Sequence, residues 1–263
     1  MLATLSPPRR RFYLGLGALL VAGGVAVAVS LIARGPARVV PVSQDAQPPV
    51  LLVPGYGGST GALQVLDGVL QQTGRSVEIV SLGGDDRGDL RRQADRLDSA
   101  VNATLARTGA HSVDLVGYSA GGVVVRLWVA DHHGGSIARR IVTLGSPQHG
   151  TDVAGVGSDL TPDTCPTACQ QLSPGSALIE TLNAHDETPP GPRWVSIWTD
   201  QDATVVPPDS ASLTGAIDFS VQSVCRGLVV SHADLPSNFK VIQIVVSELA
   251  RALPAIPDPS ICA

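Results

Sequence analysis

The chain runs from an apolar segment through a glycine-flanked serine into a second apolar segment: Val113-Asp114-Leu115-Val116-Gly117-Tyr118-Ser119-Ala120-Gly121-Gly122-Val123-Val124-Val125. The first half predicts a buried strand, and the second half predicts a helix that begins directly after Ser119. Glycine stands two residues before and two residues after this serine, where a larger side chain would collide with the backbone of a sharp turn. This pattern is typical of a nucleophile elbow, which presents a serine hydroxyl to an acyl carbon.

A second glycine-flanked serine occurs in Gly57-Gly58-Ser59-Thr60-Gly61. It also follows an apolar run, at 50–53, but five residues separate that run from Ser59. In an elbow the strand leads directly into the serine. We therefore predict Ser119 as the nucleophile.

The N-terminal part of the chain predicts export. Residues 12–33 carry no charge and follow Arg9-Arg10-Arg11, which together indicate a signal or transmembrane segment within 1–34 and a cytoplasmic N-terminus. Ala26-Val27-Ala28 resembles a cleavage site but lies inside the apolar run, so retention and removal both stay open. We expect an exported protein that is either anchored to the cell envelope, with the membrane as a partner, or secreted.

The rest of the chain predicts a linker and one domain. Residues 35–49 contain four prolines and no helical period, which predicts an extended linker, and residues 50–263 are long enough for one catalytic domain. Within it, residues 150–191 are either a cap over the site or a surface loop. The net charge of −5 leaves no basic face for nucleic acid, and nothing in the sequence predicts the oligomeric state.

Four cysteines, Cys165, Cys169, Cys225 and Cys262, predict two disulfides in a chain that leaves the cytoplasm. We favour Cys165 with Cys169, which closes a short loop, and Cys225 with Cys262, which secures the C-terminus. A zinc site fits poorly because C-x3-C has no second closely spaced pair. No metal ligand set is predicted.

Short apolar runs alternate with helical patterns along the predicted domain. The runs lie at 50–53, 77–80, 113–116, 141–144, 194–198 and near 228–230, and the helical patterns at 62–72, 89–107, 120–131, 177–183 and about 237–253. This alternation predicts an α/β fold with a mostly parallel sheet of about six strands and helices on both faces. Ligands then bind at the carboxyl ends of the strands.

A serine nucleophile needs a histidine to take its proton and a carboxylate to orient that histidine. With this kind of elbow the chain order is serine, acid, histidine. His232 follows the last apolar run and precedes the final helix, where the base is expected. Asp200 and Asp202 both lie on the preceding strand-end loop, and His149, which also follows a predicted strand, is a rival base.

Several segments together resemble bacterial lipases and esterases of the small α/β-hydrolase type, in particular exported actinobacterial ones. The segments are 50–58, 117–122, 144–151, 202–207 and Ser231-His232. The resemblance implies the α/β-hydrolase fold, and it favours Asp202, which matches D-x-x-V-x-P, and His232 over His149. The oxyanion is expected to meet the N–H of Ala120, which follows the nucleophile. By resemblance, the N–H of Tyr56 is the second donor.

The leading hypothesis is therefore a serine carboxylic ester hydrolase with the triad Ser119, His232 and Asp202. It requires no cofactor, and the resemblance implies lipid or small ester substrates. The same triad would serve an acyltransferase or a thioesterase, and an inactive hydrolase fold that binds at the envelope is a remote alternative. A dinucleotide site at 55–61 is disfavoured because the spacing departs from G-x-G-x-x-G.

Overall fold

The computed structural model describes residues 39–155 and 165–263. In these ranges six strands form one sheet: β1 (Val50–Val53), β2 (Val77–Ile79), β3 (Val113–Tyr118), β4 (Ala138–Leu144), β5 (Arg193–Trp198) and β6 (Ile217–Ser220). The strand order is β2-β1-β3-β4-β5-β6, and every neighbouring pair is parallel. The carboxyl ends of all six strands therefore lie at one edge of the sheet.

Helices cover both faces of this sheet. Those described are α1 (Gly61–Gln72), α2 (Leu90–Thr108), α3 (Ala120–Asp131), α4 (Thr167–Gln171), α5 (Ala177–Asn183), α6 (Val221–Val224) and α7 (Phe239–Ala250). One core cluster packs α2, α3, α4 and α5 on one face, and a second packs α1, α6 and α7 on the other. The predicted α/β-hydrolase fold is confirmed by this architecture and by the structural neighbours described below.

The sixth strand differs from its prediction. It is formed by Ile217–Ser220 and not by residues near 228–230. Val230 is buried, but its N–H donates to the Gln201 side chain (3.0 Å) and its carbonyl accepts from the Thr199 hydroxyl (2.7 Å). These two side chains thus make the backbone hydrogen bonds that a neighbouring strand would otherwise make. The true edge strand alternates apolar and polar residues over only four positions, which makes a weak signal.

Both predicted disulfides are present in the structure. Cys165 pairs with Cys169 of α4, with Cα atoms 5.4 Å apart, and Cys225 pairs with Cys262, with Cα atoms 5.5 Å apart. The second bond joins the end of α6 to the last turn of the chain.

Other expectations concern the predicted N-terminal segment and the predicted cap. Residues 1–38, which include the predicted membrane or signal segment, and residues 156–164 of the predicted cap lie outside the described residues. Within the described ranges, the helices are too short or too polar to cross a membrane. The described helices of the cap segment bury Ala168, Leu178 and Ile179 in the same core cluster as Trp128 of α3. This part of the segment therefore packs against α2 and α3 as part of the domain.

A buried charge cluster lies at the amino ends of β3 and β4. The Asp114 carboxylate is fully buried and accepts from Arg75 Nη2 at 2.5 Å and from Arg139 Nε at 2.8 Å. A buried carboxylate needs such partners because leaving water costs several kcal/mol per ion. The loss of any one partner would therefore leave an uncompensated buried charge at the end of the sheet opposite the strand termini that carry the candidate site.

The same cluster also binds two other segments of the chain, one before β1 and one after α7. Arg139 Nη1 donates to the Gln44 carbonyl and Arg140 Nη2 to the Gln44 side chain, both at 3.0 Å. Arg140 Nη2 also donates to the carbonyls of Arg251 and Ala252, just after α7. Burial lowers the pKa of Arg140 to about 10. Residues 40–263 group into one compact unit that includes these contacts.

Replacing Asp114 with asparagine is expected to lower the free energy of unfolding by about 3–5 kcal/mol, because two buried guanidinium groups lose their carboxylate. Urea unfolding followed by circular dichroism measures the change. The matched control is Asp131→Asn, because Asp131 pairs with Arg91 at the surface, with side chains 39% and 44% exposed. That control is expected to lose less than about 1 kcal/mol. Equal losses in the two variants would contradict this account of the cluster.

Candidate active site

Ser119 stands between β3 and α3 in a strained backbone conformation. Its φ is 52° and its ψ is −128°, values that a residue with a side chain rarely adopts. Its N–H donates to the Leu144 carbonyl at 2.9 Å, which ties the turn to β4. A β-carbon on Gly117 would lie 2.6 Å from the Gly122 Cα, and one on Gly121 would overlap the Val53 and Pro54 carbonyl oxygens. The two flanking glycines are therefore required by close backbone approach.

His232 opens a single 3-10 turn, His232–Asp234, in the loop before α7. The Asp234 carboxylate accepts from both the N–H (3.2 Å) and the hydroxyl (2.6 Å) of Ser231, which fixes the start of the loop. The Nε2 atom of His232 lies 3.0 Å from the Ser119 Oγ. The Nδ1 atom lies 2.7 Å from the Asp202 Oδ2. The His232 side chain is 9% exposed, so it is shielded from water while it stays in contact with the serine.

Asp202 follows β5 in a tight loop that orients its carboxylate. Its Oδ1 accepts from the N–H groups of Thr204 (2.9 Å) and Val205 (2.8 Å), which leaves Oδ2 for the histidine. Asp200, the alternative acid, is exposed, and its N–H donates to the Gln222 side chain. The structure brings Asp202 to His232 and does not place Asp200 there.

Tyr118, the residue before the serine, packs against the histidine and forms a hydrogen bond with its backbone. Its ring centroid lies 5.3 Å from that of His232, and its hydroxyl donates to the His232 carbonyl at 3.3 Å. Burial, and then the charges of Asp202 and Asp234, raise the pKa of Tyr118 to about 12. The hydroxyl therefore stays protonated at neutral pH and remains a hydrogen-bond donor.

The glycine-rich loop between β1 and α1 lies against the nucleophile. A β-carbon on Gly55 would stand 2.8 Å from the Ser119 Cβ, so only glycine lets this backbone approach the serine. The Gly58 N–H donates to the Gly55 carbonyl at 3.1 Å and closes a turn that contains Tyr56. The Arg87 guanidinium lies 5.6 Å from the centre of the Tyr56 ring. Ser59 lies exposed in this loop, apart from any strand end.

His149, the rival base, has other partners. Its Nε2 lies 2.9 Å from Glu187 Oε1, and its Nδ1 faces the Ser210 carbonyl at 3.3 Å. Burial acts to raise the pKa of Glu187, but the hydrogen bonds from His149 and Thr214 hold it below its usual value. The structure therefore places His149 in a surface pair with Glu187, whereas His232 is the histidine at Ser119.

Arg126 is a buried residue of the elbow helix that the sequence motifs did not single out. It is the only charged residue of α3 before the terminal Asp131, and its side chain is almost fully buried. Its guanidinium donates to the Asn183 Oδ1 (2.9 Å) and to the Leu182 carbonyl (3.3 Å), and burial lowers its pKa to about 10. Arg126 thus ties the elbow helix to the end of α5. A lone arginine in an otherwise apolar helix was the available signal.

Curated relatives carry lipase names. Two triacylglycerol lipases, from Pseudarthrobacter phenanthrenivorans and Burkholderia plantarii, are each 31% identical to this chain over 119 residues, or 43% of it. The match spans only 37% and 33% of those two proteins, about a third of their length.

Solved structures of similar fold include lipases. Aspergillus fumigatus lipase B superposes with a TM-score of 0.70 at 20% identity, over 83% of this chain and 55% of that one. The mature lipase BlEst2 of Bacillus licheniformis superposes with a TM-score of 0.61 at 17% identity, over 79% of this chain and 94% of that one. At these identities the likeness establishes the α/β-hydrolase fold.

The sequence profile of one family covers the elbow, the glycine-rich loop and the first four strands of the sheet. It is described as palmitoyl protein thioesterase, and it matches residues 49–185, just over half of the chain. The expected resemblance to lipase-like α/β hydrolases is confirmed at this level. The chain belongs to the palmitoyl protein thioesterase family of α/β hydrolases.

Proposed function

We propose that this protein is a serine carboxylic ester hydrolase of the lipase and esterase class, acting on acyl lipid esters. The observation that carries the proposal is the continuous contact from Ser119 Oγ to His232 Nε2 (3.0 Å) and from His232 Nδ1 to Asp202 Oδ2 (2.7 Å). A serine at a strained elbow, in line with a buried imidazole and a carboxylate, is the arrangement that activates a hydroxyl. The lipase names of the relatives support the same class.

In the proposed mechanism Ser119 Oγ attacks the acyl carbon while His232 Nε2 takes its proton. Asp202 holds the imidazole in the required tautomer and stabilises the imidazolium. The N–H groups of Ala120 and Tyr56 are proposed to bind the oxyanion of the tetrahedral intermediate. The alcohol leaves with the proton from His232. Water then attacks the acyl-enzyme with His232 as base, which releases the acid and restores Ser119.

Thioester hydrolysis is the second candidate, because the matching family is described as palmitoyl protein thioesterase. The triad chemistry is the same, and only the leaving group changes from an alcohol to a thiol. Acyl transfer to an alcohol uses the same acyl-enzyme with a different acceptor. An inactive, envelope-bound protein is disfavoured by the intact contact between Ser119 and His232.

We also propose that the protein acts outside the cytoplasm, with residues 1–34 as the export or membrane segment and 50–263 as the catalytic domain. The two disulfides support this location, because such bonds persist in oxidising compartments.

Labelling with a fluorophosphonate probe tests the nucleophile. The wild-type protein is expected to be labelled at Ser119, and Ser119→Ala is expected to lose all labelling, because the probe reacts only with an activated serine. Ser59→Ala is the matched control, since Ser59 is the other glycine-flanked serine, and it should be labelled like wild type. Labelling that persists in Ser119→Ala, or its absence from wild type, would overturn the proposed role of Ser119.

A substrate panel separates the candidate reactions. Octanoyl and palmitoyl groups are presented as ethyl esters and as thioesters, with and without an added alcohol acceptor. Higher kcat/KM for the oxygen esters, with free acid as product, is the expected result. A preference for the thioesters would favour thioester hydrolysis, and a new ester as the main product would favour acyl transfer.

A further inference from the structure

A small polar cavity lies beside the glycine-rich loop, outside the contacts of the triad. Its volume is about 300 Å³, and it opens between the loop after β1 and the loop after β2. Its lining combines four polar residues, Thr60, Gln64, Ser81 and Asp86, with Pro54, Ile79, Val80 and four glycines. Several polar groups that converge on one cavity are the usual mark of a binding site.

Asp86 is the charged group of this cavity, and its side chain is left incompletely paired. The residue is 7% exposed, and its Oδ1 is buried without a hydrogen-bond partner among the described residues. Its Oδ2 lies against the backbone of Gly58, where a β-carbon would come within 2.7 Å. Burial raises the pKa of Asp86, while Arg96 lowers it and Asp85 raises it. Oδ1 has no surface open to the cavity, but Asp86 belongs to the cavity lining and its Oδ2 is not among the fully buried atoms, so a hydroxyl group held there can donate to the carboxylate at Oδ2.

The charges around the cavity select the ligand class. The Arg96 guanidinium lies against Gly83 of the lining, donates to its carbonyl at 2.7 Å and offsets the negative charge of Asp86, which weakens the attraction of the cavity for a cation. Asp85 and Asp86 would repel an anionic ligand. A neutral group rich in hydroxyls fits best, because each hydroxyl can donate to the carboxylate and accept from Thr60, Gln64 or Ser81.

One turn joins this cavity to the nucleophile. Gly55 lies against Ser119, Gly58 lies against Asp86, and the Gly58 N–H bonds the Gly55 carbonyl. Such a four-residue turn keeps its ends within about 7 Å of each other. A group held in the cavity would therefore be close to an acyl group on Ser119.

We propose that this cavity binds the polyol portion, a sugar or a similar polyhydroxy alcohol, of the ester that Ser119 cleaves, with Asp86 accepting its hydroxyl hydrogen bonds. The proposal rests on the proposed ester hydrolase function, and it names the leaving-alcohol class that the site selects.

The binding test uses the inactive Ser119→Ala protein, octyl β-glucoside below its micellar concentration, and 1-octanol as the probe without a sugar. Titration calorimetry is expected to show tighter binding of the glucoside. Adding Asp86→Asn should weaken glucoside binding by about tenfold, in line with the loss of a hydrogen bond to a charged group, and leave octanol unchanged. Asp85→Asn, which changes the exposed neighbouring carboxylate, should change neither. Ser81→Ala provides a second variant of the lining and should also weaken only the glucoside.

Equal binding of the two probes to the parent protein, or glucoside binding that neither Asp86→Asn nor Ser81→Ala changes, would overturn the polyol site. The kinetic test compares 6-O-octanoylglucose with ethyl octanoate. Asp86→Asn should lower kcat/KM about tenfold for the sugar ester alone. If both esters are hydrolysed and the variant affects neither, the cavity proposal is wrong and the hydrolase stands. If neither is hydrolysed while the binding difference persists, the hydrolase proposal is wrong and the cavity stands.

Discussion

Replacing Ser119 with alanine is expected to lower kcat for octanoate ester hydrolysis by a factor on the order of 10⁵ to 10⁶, as with other serine hydrolases that lose the nucleophile. The variant has no oxygen to form the acyl-enzyme, so only binding and any oxyanion stabilisation remain. Initial rates at saturating ethyl octanoate measure the effect, and KM is expected to change little.

Ser59→Ala is the control for this result, because it removes the competing glycine-flanked hydroxyl and leaves the elbow intact. Its kcat should stay within about twofold of wild type. Both variants should keep the wild-type melting temperature within a few degrees, since neither removes a core side chain. A Ser119→Ala protein that keeps more than a hundredth of the wild-type rate would require a different nucleophile.

The second large effect concerns Asp202→Asn, which is expected to lower kcat by about 10⁴-fold near neutral pH. The asparagine oxygen can still accept from Thr204 and Val205, so the loop keeps its shape. Its NH₂ group then faces His232 Nδ1 and donates to it. This favours the imidazole tautomer that carries its proton on Nε2. A protonated Nε2 can no longer take the proton of the Ser119 hydroxyl.

Asp200→Asn is the matched control, since it neutralises the exposed carboxylate two residues away in the same loop. It should leave kcat and KM unchanged. Fluorophosphonate labelling provides a second measurement, because a histidine in the wrong tautomer should slow labelling of Ser119 by a similar factor. Equal losses in the two variants would contradict the role proposed for Asp202.

Local sequence patterns could predict the elements around the elbow. Buried parallel strands are continuous apolar runs, so β1 and β3 stand out, and α3 begins and ends in the structure where the sequence predicts it, at Ala120 and Asp131. The sixth strand escaped prediction because Ile217–Ser220 is short and lies at the edge, while the stronger apolar run near 228–230 has its backbone satisfied by side chains.

Contacts between distant segments could not be predicted in the same way. Position and chain order left His232, His149 as its rival and one loop with two aspartates, and the resemblance favoured His232 and Asp202. Tertiary packing shows which aspartate reaches the imidazole. The bond from Arg126 to Asn183 and the approach of Asp86 to Gly58 likewise join residues that no local pattern connects. These contacts depend on how loops from separate strands meet at one edge of the sheet.

The bonds that Gln44 makes bear on where the chain can be shortened. A protein trimmed to begin at Val50, the first residue of β1, would deprive Arg139 and Arg140 of the acceptors that Gln44 supplies at the amino end of the sheet. Trimming to residue 40 would keep them. The residues just ahead of the first strand therefore supply acceptors to the charged end of the sheet, and a protein trimmed to residue 50 should be less stable than one trimmed to residue 40.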